Sequence, residues 1–398
     1  MTMRFLTLAT SIAALGAVTI GCAADPDYMG TADAGGVGGA GGGGGGSAGA
    51  GLVPGGPSPD AAPAVSPPAG VVAAGVRWFG RVDTSDATKP RFSWSGSGFA
   101  ARFSGTSLTM QLTVSGQTQI FKTVIDGAPQ PPFTATPGQG TFPLAAGLTA
   151  GTHTVEVYRQ TEGPQGESQL TGLTVGDGTL MDPPAGADRL IEVIGDSITC
   201  GYGILGTVAD SECFTTESHW DAYAAVVGRA LGAEVSTIAA SGRGVVRNYP
   251  GDSTNTMPVI YTRALSNTKA SVWDFHVEPQ AVVINLGTND ISNNKGDPGA
   301  AFRDTYLTLL QTIRAYYPHA YIICTIAPLL TGSELAIITG HIKSAVDARN
   351  TAGDSKVSFL TIPAQTSDKY ACQYHPNVAE NVMMADLLTA ELRVKLGW

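Results

Sequence analysis

The chain carries little charge: Asp, Glu, Lys and Arg together make up 14% of its 398 residues. Its 23 Lys and Arg residues are scattered, and no basic block stands out against a net charge of −10. This argues against nucleic acid as a partner, because phosphate binding depends on clustered cations. Long apolar runs are missing too. The one extended uncharged apolar stretch, residues 5–20, is too short for a helix that crosses a bilayer. Cysteine is sparse, at five residues. No tryptophan occurs between Trp273 and Trp398, so the later loops offer no indole face on which a flat ligand could stack.

What is present suffices for real cores. Hydrophobic residues make up 43% of the chain, and its length suits two domains plus unstructured extras. Residues 1–22 read as an export signal, with Arg4 in a short basic start and the apolar stretch behind it. Thr19-Ile20-Gly21-Cys22 resembles a bacterial lipobox, which makes Cys22 a lipidation site and the mature N-terminus. The alternative is a plain secretory signal that contains a chance cysteine. Residues 23–70 are rich in Gly, Ala and Pro and show no apolar period, as expected of a flexible spacer behind an anchor. The expected location is therefore outside the cytoplasm, lipid-anchored in a bacterial membrane or at the cell surface, or else secreted. The remaining cysteines, Cys200, Cys213, Cys324 and Cys372, permit two disulfides with three connectivities, or four buried free thiols. One connectivity closes a short loop, Cys200–Cys213, and leaves Cys324–Cys372.

Residues 71–187 have a β pattern. Segments 108–114, 121–125 and 153–158 alternate apolar and polar residues, and Asp126-Gly127 and Ala150-Gly151-Thr152 supply turns between them. A β-sandwich, jelly-roll-like, is expected there. Pro183-Pro184-Ala185-Gly186 marks a boundary. Residues 188–398 change rhythm. Short apolar runs at 190–194, 235–239, 281–286, 321–326 and 357–362 alternate with helical stretches around 220–231, 300–316, 334–352 and 378–396. This predicts an α/β domain with a five-stranded parallel sheet covered on both faces. Ligands bind beyond the carboxyl ends of such strands.

The segments that follow those strands hold the chemistry. They are Gly195-Asp196-Ser197-Ile198-Thr199, Ser241-Gly242-Arg243-Gly244, Gly287-Thr288-Asn289-Asp290 and Cys372-Gln373-Tyr374-His375-Pro376. Ser197 is a candidate nucleophile and His375 its candidate base. The N–H groups of Ser197 and Gly242 and the side-chain amide of Asn289 could converge on one oxyanion. A second Gly-Asp-Ser, at residues 251–253, follows Asn248-Tyr249-Pro250 instead of an apolar strand and reads as a surface turn. Asp196 reads as a turn stabiliser, and Arg243, Arg247 and Tyr249 as either ligand contacts or a solvated loop. Leu329 and Leu330 could line a small acyl pocket, and Trp273 reads as core.

Together the blocks resemble the SGNH (GDSL-type) hydrolase superfamily over residues 189–398, with its flavodoxin-like fold. With the β-domain included, the chain is most similar to carbohydrate esterase family two. The shared features are the Gly-Asp-Ser-Ile-Thr start, Ser-Gly-Arg-Gly, Asn285-Leu286-Gly287-Thr288-Asn289-Asp290 and the Cys-x-x-His-Pro ending. The resemblance implies a serine esterase that removes O-acetyl groups from plant polysaccharides such as xylan or glucomannan, with no metal or organic cofactor. Alternatives are an esterase of other small acyl esters on glycans, or a lipid-anchored glycan-binding protein that has lost activity. The chain departs from the pattern in one respect: the acid that usually precedes the catalytic histidine is replaced by Cys372 and Gln373. A Ser197–His375 dyad is therefore expected, its histidine oriented by Gln373 or by a main-chain carbonyl, with Asp368 the nearest upstream carboxylate.

Overall fold

A computed structural model describes residues 75–398 apart from Ala327. The export signal, Cys22 and the spacer of residues 23–70 lie outside the described residues. The N-terminal unit runs β1 (Val76–Phe79), β2 (Val82–Asp83), β3 (Arg91–Phe92), β4 (Gly98–Gly105), β5 (Ser107–Val114) and β6 (Gln119–Ile125). It continues with β7 (Ala128–Pro129), β8 (Phe133–Ala135), β9 (Gly138–Ala145), β10 (Gly151–Arg159), β11 (Ser168–Gly176) and β12 (Thr179–Met181). One sheet has the order β1-β4-β10-β6-β7, with β12 paired to β4 and β8 to β6, and the other the order β2-β3-β11-β5-β9. Period-two patterning builds the core between them. Leu108, Met110, Leu112 and Val114 all point inward from β5 and meet Val76, Phe99, Phe121 and Val155 from the facing sheet. Burying each large apolar side chain contributes about 1.5–3 kcal/mol.

The second unit runs β13 (Arg189–Gly195), α1 (Ser197–Cys200), α2 (Tyr223–Leu231), β14 (Ala233–Ala239), α3 (Met257–Ile260) and β15 (Ala281–Asn285). It ends with α4 (Thr288–Ile291), α5 (Gly299–Tyr316), β16 (Tyr321–Thr325), α6 (Gly332–Thr351), β17 (Val357–Phe359) and α7 (Val378–Leu396). The five strands are parallel in the order β14-β13-β15-β16-β17, the flavodoxin-like arrangement. Both faces are covered, so the strands read as continuous apolar runs. Ile191, Val193, Val283 and Ile323 enter one core with α2 and α7. Ile194, Val282, Ile284 and Ile322 enter the other with α5 and α6.

The two units are joined by ionic contacts, one of them buried. Arg81, fully buried, pairs with Glu192 of β13 at 3.0 Å, and the hydroxyls of Tyr261 and Tyr317 donate to the same carboxylate. Arg77 pairs with Glu234 at the edge of β14. Breaking the buried Arg81–Glu192 pair from one side costs about 3–5 kcal/mol, which favours one fixed docking geometry.

Candidate active site

β13 ends at Gly195, and Asp196 caps α1 by accepting the Ile198 N–H at 3.1 Å. Ser197 thus starts a helical turn at the carboxyl end of the sheet, where a first-turn N–H has no intrahelical acceptor. Its Oγ lies 2.8 Å from Nε2 of His375. The imidazole is completely buried, and the Tyr202 ring packs against it edge-on, with centroids 4.9 Å apart.

His375 follows a tight turn, Cys372–Tyr374, in which Gln373 (φ 48°, ψ 40°) and Tyr374 (φ 64°) are both left-handed. Non-glycine residues hold that conformation only when the surroundings enforce it. Here the Ala371 N–H donates to the His375 carbonyl at 2.7 Å, and Gln365 Nε2 donates to the Tyr374 carbonyl at 2.7 Å. Hydrogen bonds to the main-chain carbonyls of Cys372 and Gln373 favour the protonated ring. The side-chain Oε1 of Gln373 has no partner among the described residues. Gln373 therefore meets the ring through its backbone and not through its side-chain oxygen. Asp368 is no substitute acid: its side chain is 70% exposed and accepts from Thr366 Oγ1.

Burial lowers the His375 pKa to about 4, and the main-chain hydrogen bonds oppose that shift without reversing it. The ring is therefore neutral near pH 7 and able to take a proton. The acid limb of kcat/KM is expected near pH 4, well below the usual histidine value of about 6.5. A pH–rate profile on a soluble acetate ester, with circular dichroism as a folding control, checks this; a limb at 6.5 contradicts it. The unfolded state binds this proton first, so the histidine's contribution to stability falls as pH drops from about 6.5 toward 4.

The loop after β14 carries Gly242 at φ +74°, where an L side chain is strained. Its carbonyl accepts the Tyr249 N–H at 2.8 Å. Asp290 shapes the loop by accepting the N–H groups of Val245 (2.9 Å), Val246 (2.8 Å) and Arg247 (3.0 Å). Asn248 accepts the Gly244 N–H at 3.1 Å and is itself held by Asp252, so the second Gly-Asp-Ser is a brace for this loop. Asn289 is buried and donates to Asp196 Oδ2 at 3.2 Å and to the Arg243 carbonyl at 3.0 Å, so its two amide protons tie the first and second blocks together. Burial raises the Asp196 pKa to about 7. Sequence reasoning passed over Asp290, although a carboxylate directly beside Asn289 was the available signal.

Among the expected ligand contacts, Arg243 and Tyr249 are half-buried on the Gly242 loop. Arg243 reaches the Thr254 carbonyl at 3.4 Å, and Lys295 Nζ lies 5.8 Å from the Tyr249 ring centre. Arg247 is committed to the carbonyls of Lys295 and Gly296. Leu329 and Leu330 are buried in the two cores that flank the sheet. The short-loop cysteine pairing is corrected: the disulfide is Cys213–Cys372, with Cα atoms 5.6 Å apart, while Cys200 and Cys324 are buried free thiols. Cys200 instead turns its Sγ toward Glu162 of the β-domain at 3.7 Å. Cys324, on β16, is buried in the core beside Tyr306, and Cys372 packs in a different apolar cluster. Among the described residues, no cluster of three His, Cys, Asp or Glu could hold a metal ion.

Comparison with known proteins gives consistent matches. Residues 78–184 match the family description "Carbohydrate esterase 2 N-terminal", and residues 193–379 match "GDSL-like Lipase/Acylhydrolase family". The chain is 38% identical over 333 residues to a cellulase/esterase, CelE, of Acetivibrio thermocellus, covering 81% of this chain but only 40% of that relative. It is 27% identical to an acetylxylan esterase / glucomannan deacetylase of Cellvibrio japonicus, covering 81% of this chain and 89% of the relative. A solved family two carbohydrate esterase from Clostridium thermocellum, in complex with cellohexaose, superposes with a TM-score of 0.79 at 37% identity, covering 81% of this chain and all of that one.

Proposed function

This chain belongs to carbohydrate esterase family 2, and from that premise we propose that it removes O-acetyl groups from plant cell-wall polysaccharides such as xylan and glucomannan, using Ser197 and His375 as a dyad. The observation that carries this reading is the 2.8 Å contact between Ser197 Oγ and His375 Nε2 at the carboxyl end of the sheet. Ser197 Oγ attacks the ester carbonyl carbon as Nε2 takes its proton. The oxyanion is held by the N–H groups of Ser197 and Gly242 and by Asn289, which shares the proton it now gives to Asp196. His375 returns the proton to the departing sugar oxygen. Water, activated by the same ring, then releases acetate from acetyl-Ser197. Arg243 and Tyr249, on the rim of the Gly242 loop, contact the glycan.

The main-chain carbonyls of Cys372 and Gln373 orient the imidazole in place of an acid. The substrate class is supported by the relatives' names and by cellohexaose in a related structure. Acetate release from acetylated xylan and glucomannan tests it. A protein that binds these glycans yet releases no acetate from them or from a simple acetate ester supports the binding-only alternative. We also propose export and lipidation at Cys22, which accords with a disulfide in the catalytic unit. Cys22→Ala is expected to move the protein from the membrane fraction to the soluble fraction; retention in the membrane excludes this anchor.

A further inference from the structure

The geometry points to Glu162, a residue of the β-domain, as the positioning residue for the oxyanion loop of the hydrolase domain. The inference rests on the proposed role of the Gly242 N–H. Glu162 lies just beyond β10 and is fully buried. Its Oε2 accepts the N–H of Ser241 at 2.5 Å, and the Cys200 thiol lies 3.7 Å from the same oxygen. Ser241 is the residue before Gly242, and Cys200 ends the helical turn that Ser197 begins. One carboxylate from the neighbouring domain thus touches both segments that supply the oxyanion N–H groups.

The carboxylate is itself held in place. Arg159 is completely buried and donates to the Thr161 carbonyl at 2.9 Å, the Glu162 carbonyl at 3.0 Å and Ser168 Oγ at 2.8 Å. This staples the 159–162 turn. Farther along, Gln160 Oε1 accepts the Trp220 N–H at 2.8 Å, and Gln165 Nε2 donates to Glu217 at 3.0 Å. Residues 159–165 therefore form a strap across the domain seam, with Glu162 aimed at the catalytic loop. A peptide N–H in the oxyanion hole works best if its plane is set before the reaction; the Glu162 bond anchors the chain on one side of that peptide unit, and the Tyr249 N–H bond to the Gly242 carbonyl anchors it on the other. The Glu162 pKa is raised by burial, and its Oε1 has no partner among the described residues. The useful property of Glu162 is therefore reach and an acceptor oxygen, more than charge.

The test uses full-length variants. Glu162→Ala removes the acceptor, Glu162→Asp keeps the charge but withdraws the oxygen, and Glu162→Gln keeps the oxygen without the charge. The Ala and Asp variants are expected to lose about 10- to 100-fold in kcat with KM changed less than about twofold, and the Gln variant to stay within about threefold of the parent. If the Ala variant does not fold, the Asp and Gln pair still decides, because both fill most of the same volume. Wild-type kcat in the Asp variant, or equal losses in the Asp and Gln variants, overturns the inference. Ser197→Ala run in parallel separates the two questions: an active Ser197→Ala protein refutes the dyad itself, whatever the Glu162 variants do.

Discussion

Ser197→Ala is expected to lower kcat for acetate release by at least about 10⁴-fold, with little change in KM or in binding of unacetylated glycan. At 1.36 kcal/mol per decade this is about 5.4 kcal/mol of transition-state stabilisation. The expectation follows from geometry: Oγ lies 2.8 Å from Nε2, and an alanine methyl fills a buried site without introducing a new polar group. His375→Ala should be about equally damaging, and the double variant little worse than either, because the two side chains act as one unit. The residual rate reports on what the Gly242 loop contributes alone. A Ser197→Ala protein that keeps even a tenth of the parent rate would mean that another nucleophile works here. Cys200 is the obvious suspect by position. Burial, however, pushes its thiol well above the ordinary range, so it is not a thiolate at neutral pH.

The missing acid bears on how large the parent rate can be. In triads built around an aspartate, removing its charge costs about 10⁴ because the histidine adopts the wrong tautomer. On the proposed reading the ring is oriented by main-chain carbonyls, which set the tautomer without a charge. Gln373, one of the two residues that carry those carbonyls, and Tyr374 after it are both left-handed. The same burial that lowers the His375 pKa disfavours the imidazolium that forms in the transition state, a cost the main-chain groups oppose without reversing.

What the sequence revealed, and what it did not, follows sequence separation. Strand alternation in β5 and the apolar runs of β13 and β15 are local patterns, and each appeared where the pattern put it. Ser197, Gly242 and Asn289 could be singled out because each sits within four residues of the end of a strand whose direction is fixed by the parallel sheet, whereas His375 lies 16 residues beyond β17 and stood out only by preceding the last helix. The Cys213–Cys372 bond spans 159 residues, and the Ser241–Glu162 contact spans 79 residues and a domain boundary. Neither leaves a mark in any short window. The left-handed turn before His375 was hidden for a different reason: Gln-Tyr carries no propensity for positive φ, and tertiary contacts impose it.

Removing the disulfide, as in the Cys213→Ser/Cys372→Ser variant, is expected to be the most destabilising of these changes and to cost activity as well. In the chain-entropy view, a crosslink closing a loop of this length contributes about 5 kcal/mol, a large part of the ~5–15 kcal/mol that stabilises a typical domain. Its position couples that loss to catalysis. Cys372 opens the turn that ends at His375, and its N–H donates to the Gly203 carbonyl at 3.3 Å. Gly203 lies so close that a Cβ there would stand 2.7 Å from the Cys372 Cβ and 3.1 Å from the Cys213 Cβ, so the segment after Ser197 and the turn before His375 are packed through this bond. Released from it, the imidazole should drift from Oγ, and a misplacement of about 1 Å is worth on the order of 100-fold in rate. Urea denaturation and kcat measured on the same preparation check both halves. Cys324→Ser serves as a control, since that thiol is buried in the core beside Tyr306, in a different apolar cluster from Cys372; it should lower stability with kcat unchanged. If the double variant unfolds at the parent's midpoint and turns over at the parent's rate, the disulfide neither secures the fold nor sets the histidine, and the backbone hydrogen bonds of the turn hold His375 on their own.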